Sequence, residues 1–161
     1  MLIRPARPDD APAIWRVIGP VIRAGDTYAL DRDMSEKAGI AYWLSSEKTV
    51  FVAEGEDGSL LGSYYIRANN AGGGAHVANA GYVTAANATG KGVERAMCAH
   101  SLDEARARGY RAMQFNFVVG TNSRAIALWQ AMGFALVGRL PGAFHHPTLG
   151  FVDALVMYRG L

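Results

Sequence analysis

The chain has 161 residues, half of them hydrophobic and 19% charged, which suits one folded domain and excludes wholesale disorder. Sixteen basic against 14 acidic residues leave +2, and no Lys/Arg run gathers on one face, so the charge is not a nucleic-acid footprint. One cysteine, Cys98, rules out an internal disulfide framework and a multi-cysteine zinc site, and no apolar run nears the ~20 residues that span a bilayer. Met1 to Pro5 lacks a signal-peptide layout, so the expectation is a cytoplasmic protein without membrane contact, one domain over 1–161.

In chain order, Leu2–Arg4 predicts a short strand stopped by Pro5. Asp9 or Asp10 is placed to cap a helix with Pro12 in its first turn and Ile14, Val17, Ile18 and Val21 at helical spacing, ended by Gly25. Ser35 caps a second helix that turns Ile40, Trp43 and Leu44 inward. Thr49–Glu54 and Leu60–Arg67 form a hairpin around Glu56-Asp57-Gly58. Gly72-Gly73-Gly74 reads as a flexible loop before the strand His76–Thr84, where Gly81 permits a bulge or a close backbone approach.

A long helix follows Lys91 and closes at Gly109. Gln114–Val119 alternates, with Phe115, Phe117 and Val119 on one face and Gln114, Asn116 and Val118 on the other. Asn122 caps a helix carrying Ala125, Leu128, Trp129 and Met132 on one side, and Gly133 follows it. Phe134–Arg139 and Phe151–Tyr158 supply two closing strands. The order β-α-α-β-β-β-α-β-α-β-β implies an α/β (α+β) protein with one mostly antiparallel mixed sheet of about seven strands and helices on both faces.

Strand, turn, Gly90-Lys91-Gly92 and helix is a plan for holding phosphate, because the unpaired N–H groups of a helix start carry the positive end of the dipole. Neither the Gly-Lys-Ser/Thr loop nor the third dinucleotide glycine is present, since position 95 is Arg. Adjacent His145 and His146 point in different directions without a companion carboxylate pair or Cys, which disfavours a metal site. His76 and His100 read as surface or cap residues, and Cys98 as packing.

Tyr82-Val83-Thr84, Ala88-Thr89-Gly90-Lys91-Gly92-Val93 and Asn122 through Phe134 resemble the acetyl-CoA-binding motifs of the GCN5-related N-acetyltransferases (GNAT), in family order over essentially the whole chain. Leu60–Ile66, Asn79–Tyr82, Phe115–Val119, Thr121-Asn122 and Val152-Asp153-Ala154, with Gly25, Thr27 and Tyr28, resemble more narrowly the fungal N-acetyltransferases that act on proline analogues such as azetidine-2-carboxylate.

The resemblance implies a GNAT fold with acetyl-CoA as cosubstrate and no metal. It implies that the strands ending at Thr84 and Val119 run parallel and splay, so that the pantetheine adds like a strand. Tyr82, Val83, Thr84, Thr89, Gly90, Lys91, Gly92, Val93, Glu94, Arg95 and Asn122 would contact the cofactor. A bulge N–H near Tyr82 would polarise the thioester, with Asn79 the second catalytic candidate. Tyr28, Asn79 and Asn116 would line the acceptor site. Each also has a plain structural role open to it: Asn122 as a cap, Tyr28 as core cover, the two asparagines as a buried network.

Three positions depart from the family pattern. Thr89 replaces a Gln/Arg, and Glu94 stands where a small residue is usual and opposes a pyrophosphate. Trp129 occupies the place of a tyrosine acid, and indole N–H only donates. The implied activity is acetyl transfer to the amine of a small molecule, an amino acid or proline analogue among the candidates, by direct attack in a ternary complex. The alternatives are a protein N-terminal or lysine acetyltransferase and an acyl-CoA-binding module without catalysis. A homodimer through the C-terminal strands is a further family expectation.

Overall fold

In the computed structural model, which describes residues 1–161, chain order becomes sheet order with one exchange at the end. The strands are β1 (Leu2–Pro5), β2 (Thr49–Glu54), β3 (Leu60–Ala68), β4 (Val77–Thr84), β5 (Ala112–Val119), β6 (Ala135–His146) and β7 (Gly150–Gly160), and the helices α1 (Ala11–Ala24), α2 (Glu36–Trp43), α3 (Val93–Ala107) and α4 (Ser123–Ala131). They form one seven-stranded sheet in the order β1-β2-β3-β4-β5-β7-β6. Every pairing is antiparallel except β4 with β5. The α+β class with helices on both faces therefore holds.

Each face of the sheet buries its own apolar set. Ile14, Ile18 and Ile22 of α1 and Trp43 of α2 pack on Val50, Val52, Tyr65 and Val83. On the other side Met97 and Leu102 of α3 and Trp129 of α4 meet Tyr64, Tyr82, Met113 and Phe115. Ser63 is fully buried yet satisfied: it accepts from Trp43 Nε1 at 2.9 Å and donates to the Phe51 carbonyl at 2.9 Å, pinning α2 to the sheet. His100, expected as a surface or cap residue, is half-buried on α3 with Nδ1 2.5 Å from the Tyr64 hydroxyl.

Three local expectations need correction. Asp10 does not cap α1 through its side chain; its carboxylate instead accepts from Arg7 N at 2.7 Å and pairs with Arg4 at 2.8 Å, which holds its pKa below the ordinary value. The last two strands run past Arg139 and back before Phe151. Pro141 lies within β6, but β6 is an edge strand, and the register shift between Leu140 and Phe144 absorbs the proline. His145 stacks on Phe151, and His146 Nδ1 accepts the turn amides of Thr148 and Leu149, so both histidines serve the hairpin.

The third correction concerns β5. Phe115 lies opposite Met157 but Val118 opposite Leu155, so three steps on β5 match two on β7. The inserted residue is a β-bulge, and it breaks the expected alternation. Phe115 and Val118 share the core face, while Phe117 turns to Phe144.

Candidate active site

The site begins with a strand pair that stops pairing early. β4 and β5 are in register only at Val77↔Ala112 and Ala78↔Met113, after which they diverge. On its other side β4 pairs with β3 without a register shift from Ala78 to Thr84, so the bulge expected near Tyr82 is absent; the sheet's bulge in this region lies in β5.

The regular register fixes where the β4 backbone points. Asn69 N–H donates to Val77 O at 2.8 Å and Ala85 N–H to Leu61 O at 2.9 Å, so alternate residues from Val77 to Ala85 bond to β3. The N–H and C=O groups of Ala80, Tyr82 and Thr84 consequently face the widening slot. Tyr82 thus presents its amide to the slot without a bulge, while its side chain goes into the core, where the hydroxyl meets Ser101 Oγ at 2.7 Å. Burial pushes that phenol well above its ordinary pKa, which removes it from acid–base work.

Gly81 answers the question its position raised. A Cβ there would come within 2.7 Å of the Tyr65 ring, so the glycine permits a close approach rather than a bulge.

The slot opens into a cleft of about 410 Å³. Tyr28, Asn79, Tyr82, Val83, Thr84, Thr89, Glu94, Asn116 and Asn122 all line it, so nine of the expected site residues converge. An adjoining hollow of about 160 Å³ is lined by Thr84, Gly90, Gly92, Val93, Glu94 and Arg95. Lys91 is exposed and lines neither space.

The hollow sits at the start of α3. Gly90 and Gly92 both have φ +79°, a backbone conformation that favours glycine, and a Cβ on either would meet nothing within 4 Å. Open space over unpaired helix-start amides is what a pyrophosphate requires. The Thr84 hydroxyl is a buried polar atom with no partner, placed where cleft and hollow meet. The residues present therefore fit a nucleotide thioester lying along β4 with its phosphates at α3.

Glu94 occupies the same junction. Its carboxylate lies 3.7 Å from Arg124, and burial pushes its pKa up while Arg124 pulls it back. Arg124 thus offsets part of the repulsion expected from Glu94. Arg95 points its Nη1 to Met132 Sδ.

At the inner end the amides are already engaged. Asn79 is buried and donates from Nδ2 to the Gln114 carbonyl at 3.0 Å, bridging β4 and β5 where they part. Asn116 is exposed rather than buried, donating to Asn69 Oδ1 at 2.6 Å and accepting from Gln114 Nε2 at 2.9 Å. Tyr28, from the loop after α1, donates its hydroxyl to the Tyr82 carbonyl at 3.0 Å, and burial raises its pKa. Asn122 caps α4 by accepting from Ala125 N at 3.3 Å and also faces the cleft.

A family model described as the acetyltransferase (GNAT) family matches residues 21–134. The chain belongs to the GNAT acetyltransferases. A GCN5-related N-acetyltransferase from Kribbella flavida is 42% identical and superimposes with a TM-score of 0.95, over 99% of this chain and 97% of that one. The fold is also that of the phosphinothricin acetyltransferase from Sinorhizobium meliloti, solved in complex with acetyl-CoA, at 22% identity and a TM-score of 0.85 over 99% and 88% of the two chains. The N-acetyltransferase aca1 of Schizosaccharomyces pombe is 33% identical over 99 residues, 61% of this chain. That match spans about half, 47%, of the fungal protein.

Several cleft residues were not singled out from the sequence: Arg67, Tyr42, Tyr65 and Arg124 all line it. For Arg67 a signal existed. Folding the chain about Gly73 lays Arg67 opposite Asn79, as the β3–β4 register does. The chain has no group of three or more His, Cys, Asp or Glu able to hold a metal, and no helix long and apolar enough to cross a membrane.

Proposed function

We propose that residues 1–161 act as one domain that transfers acetyl from acetyl-CoA to the amine of a small molecule, by direct attack with both bound. The observation that carries this is the open slot of β4 backbone groups running from the α3 helix start into a side-chain-lined cleft. Acetyl-CoA supplies an activated acyl group as a thioester. Slot-facing backbone groups of Tyr82 and Thr84, with Val83, Thr89, Asn122 and the loop from Gly90 to Arg95, hold it.

The Tyr82 amide is the group that polarises the thioester carbonyl, an effect of fixed donors aimed at developing charge. Asn79 positions that region by holding the strands at the point where they part. Tyr28 and Asn116 border the acceptor. Trp129 packs on Tyr82 at 5.0 Å between ring centroids and lines the cleft; its N–H donates a hydrogen bond but no proton near neutral pH.

No covalent step is invoked. Cys98 is buried with its thiol pushed up to about 12, and the cleft lining includes no histidine or cysteine. The amine proton therefore leaves through water.

The loop bearing Thr27, Tyr28 and Leu30 walls the cleft with Tyr42 and Tyr65, which favours a small acceptor over an extended peptide. The resemblance of Leu60–Ile66, Asn79–Tyr82 and Phe115–Val119 to the N-acetyltransferases that act on proline analogues supports an amino acid or proline analogue. A homodimer through the β6–β7 hairpin is part of the same reading, supported by exposed Leu136, Val137, Leu140 and Phe151 along it.

The test is thiol release from acetyl-CoA across amino acids, proline analogues, amine antibiotics and peptides. Small amino acids or their analogues should turn over fastest. Turnover confined to peptides would move the protein to the protein-acetylating class, and acetyl-CoA binding without any turnover would leave a binding module.

A further inference from the structure

The inner end of the cleft carries a single ionised side chain. Of its lining residues, Arg67, Glu94 and Arg124 are the ones with a formal charge, and the latter two pair with each other near the hollow. Arg67 takes part in none of the molecule's ion pairs. Its Nε donates to Asn79 Oδ1 at 3.4 Å, and Asn79 is itself fixed to Gln114 O. The guanidinium is thus steered by one nitrogen, leaving Nη1 and Nη2 without a protein partner.

The surroundings favour an anion. Lys48 lies behind the same wall, its Nζ 3.5 Å from the Tyr42 ring centroid and 4.6 Å from that of Tyr65, adding positive potential. The exposed Glu47 carboxylate, held below its ordinary pKa chiefly by its own backbone and Ser45, also feels Arg67 but makes no ion pair with it. The half-buried guanidinium therefore keeps two unbonded nitrogens, a planar fork that matches a carboxylate in geometry.

We infer that Arg67 determines acceptor specificity: its free guanidinium nitrogens bind a carboxylate borne on the same small molecule as the reacting amine. The acceptor is therefore an amino or imino acid with a free carboxylate. A simple amine, a polyamine and the N-terminus of a peptide all lack that group beside the amine. One guanidinium in the lining suits one negative charge, whereas a phosphate dianion calls for a second cation in contact with it. Lys48 lies outside the lining with its Nζ turned to the Tyr42 carbonyl. The inference rests on the acetyl-transfer reading and names its substrate class.

The experiment is a binding titration of the full chain, saturated with unacylated coenzyme A, against the common amino and imino acids and their primary carboxamides. The wild type should bind at least one free acid about tenfold or more tightly than its amide. Arg67→Gln should bring the pair within about twofold while coenzyme A affinity stays unchanged, and Arg67→Lys should keep part of the preference, because charge remains but the fork is lost. Absence of a carboxylate preference in the wild type overturns the inference, as does a preference that survives Arg67→Gln. Because binding is read without turnover, the outcome separates from that of the thiol-release screen. A carboxylate preference in a protein that turns over no amine supports Arg67 and rejects the transferase; turnover without that preference does the reverse.

Discussion

The two ends of the cleft are built from different material. Toward α3 the surface is backbone: the slot-facing groups of Ala80, Tyr82 and Thr84, then the helix-start amides beyond Gly92, with side chains contributing mainly an ion pair at the border. Toward the apex it is side chain: Arg67 on Asn79, Asn79 and Tyr28 each on a carbonyl, Asn116 on Asn69, and the Tyr65 ring. Backbone amides are present whatever the sequence, so the first end suits an invariant ligand. Side chains change by single substitutions, so the second end is where members of one fold diverge in acceptor.

The contrast predicts that substitutions at the two ends move different constants. Gly92→Val should have the largest effect, raising the acetyl-CoA dissociation constant tenfold or more, ~1.4 kcal/mol. Nothing stands within 4 Å of the new Cβ, so the damage comes from a branched residue at φ +79° and from filling the hollow. Calorimetry should show acceptor affinity little changed in the same variant. An equal loss of both would mean that the ends are not separable.

Asn79→Ala comes next. It removes the bridge to Gln114 O, costing ~1–2 kcal/mol of stability, and loosens Arg67. Steady-state kinetics should show kcat down by roughly tenfold or more, with a smaller rise in acceptor KM and acetyl-CoA affinity nearly intact. Wild-type kcat in that variant would make Asn79 a plain structural amide.

Glu94→Gln tests the border between the ends. Burial raises the Glu94 pKa and Arg124 pulls it back, so as pH falls its repulsive charge is lost at a higher pH than an ordinary glutamate's would be. Wild-type affinity for acetyl-CoA should therefore gain on Glu94→Gln as pH drops from neutrality, whereas at pH 7 the variant should bind modestly tighter, by about 1 kcal/mol or less. A constant ratio between the two proteins over that range would show that Arg124 already cancels the charge. Asn116→Ala should be mildest: its amide is exposed and engaged with Asn69 and Gln114, so acceptor KM should rise about two- to fivefold, with kcat unmoved.

The same division explains what could be read from the sequence. Element order, the Ser35 and Asn122 caps and the Gly90–Gly92 cradle follow from local rules, and each appears in the structure. The β5 bulge carries no local mark, because one inserted residue between Phe115 and Val118 looks like continued alternation until β7 supplies the count. Pro141 hid the length of β6, since an edge position tolerates what a central strand does not. Arg67, Tyr42 and Arg124 belong to the site through pairing and packing across the fold, and composition says nothing of that.

The central claim, that backbone amides of β4 and α3 hold acetyl-CoA while side chains hold the acceptor, is tested most directly by amide NMR during two titrations. With acetyl-CoA, the amide resonances of Ala80, Tyr82, Thr84 and Gly92 through Arg95 should shift most, and the Arg67 Nε–H should stay nearly still. With an amino acid added to the coenzyme A complex, the Arg67 Nε–H and the Asn79 side-chain amide should move while the α3 amides hold. Acetyl-CoA shifts concentrated on Arg67 and Asn79, or amino-acid shifts at the α3 helix start, would contradict the account.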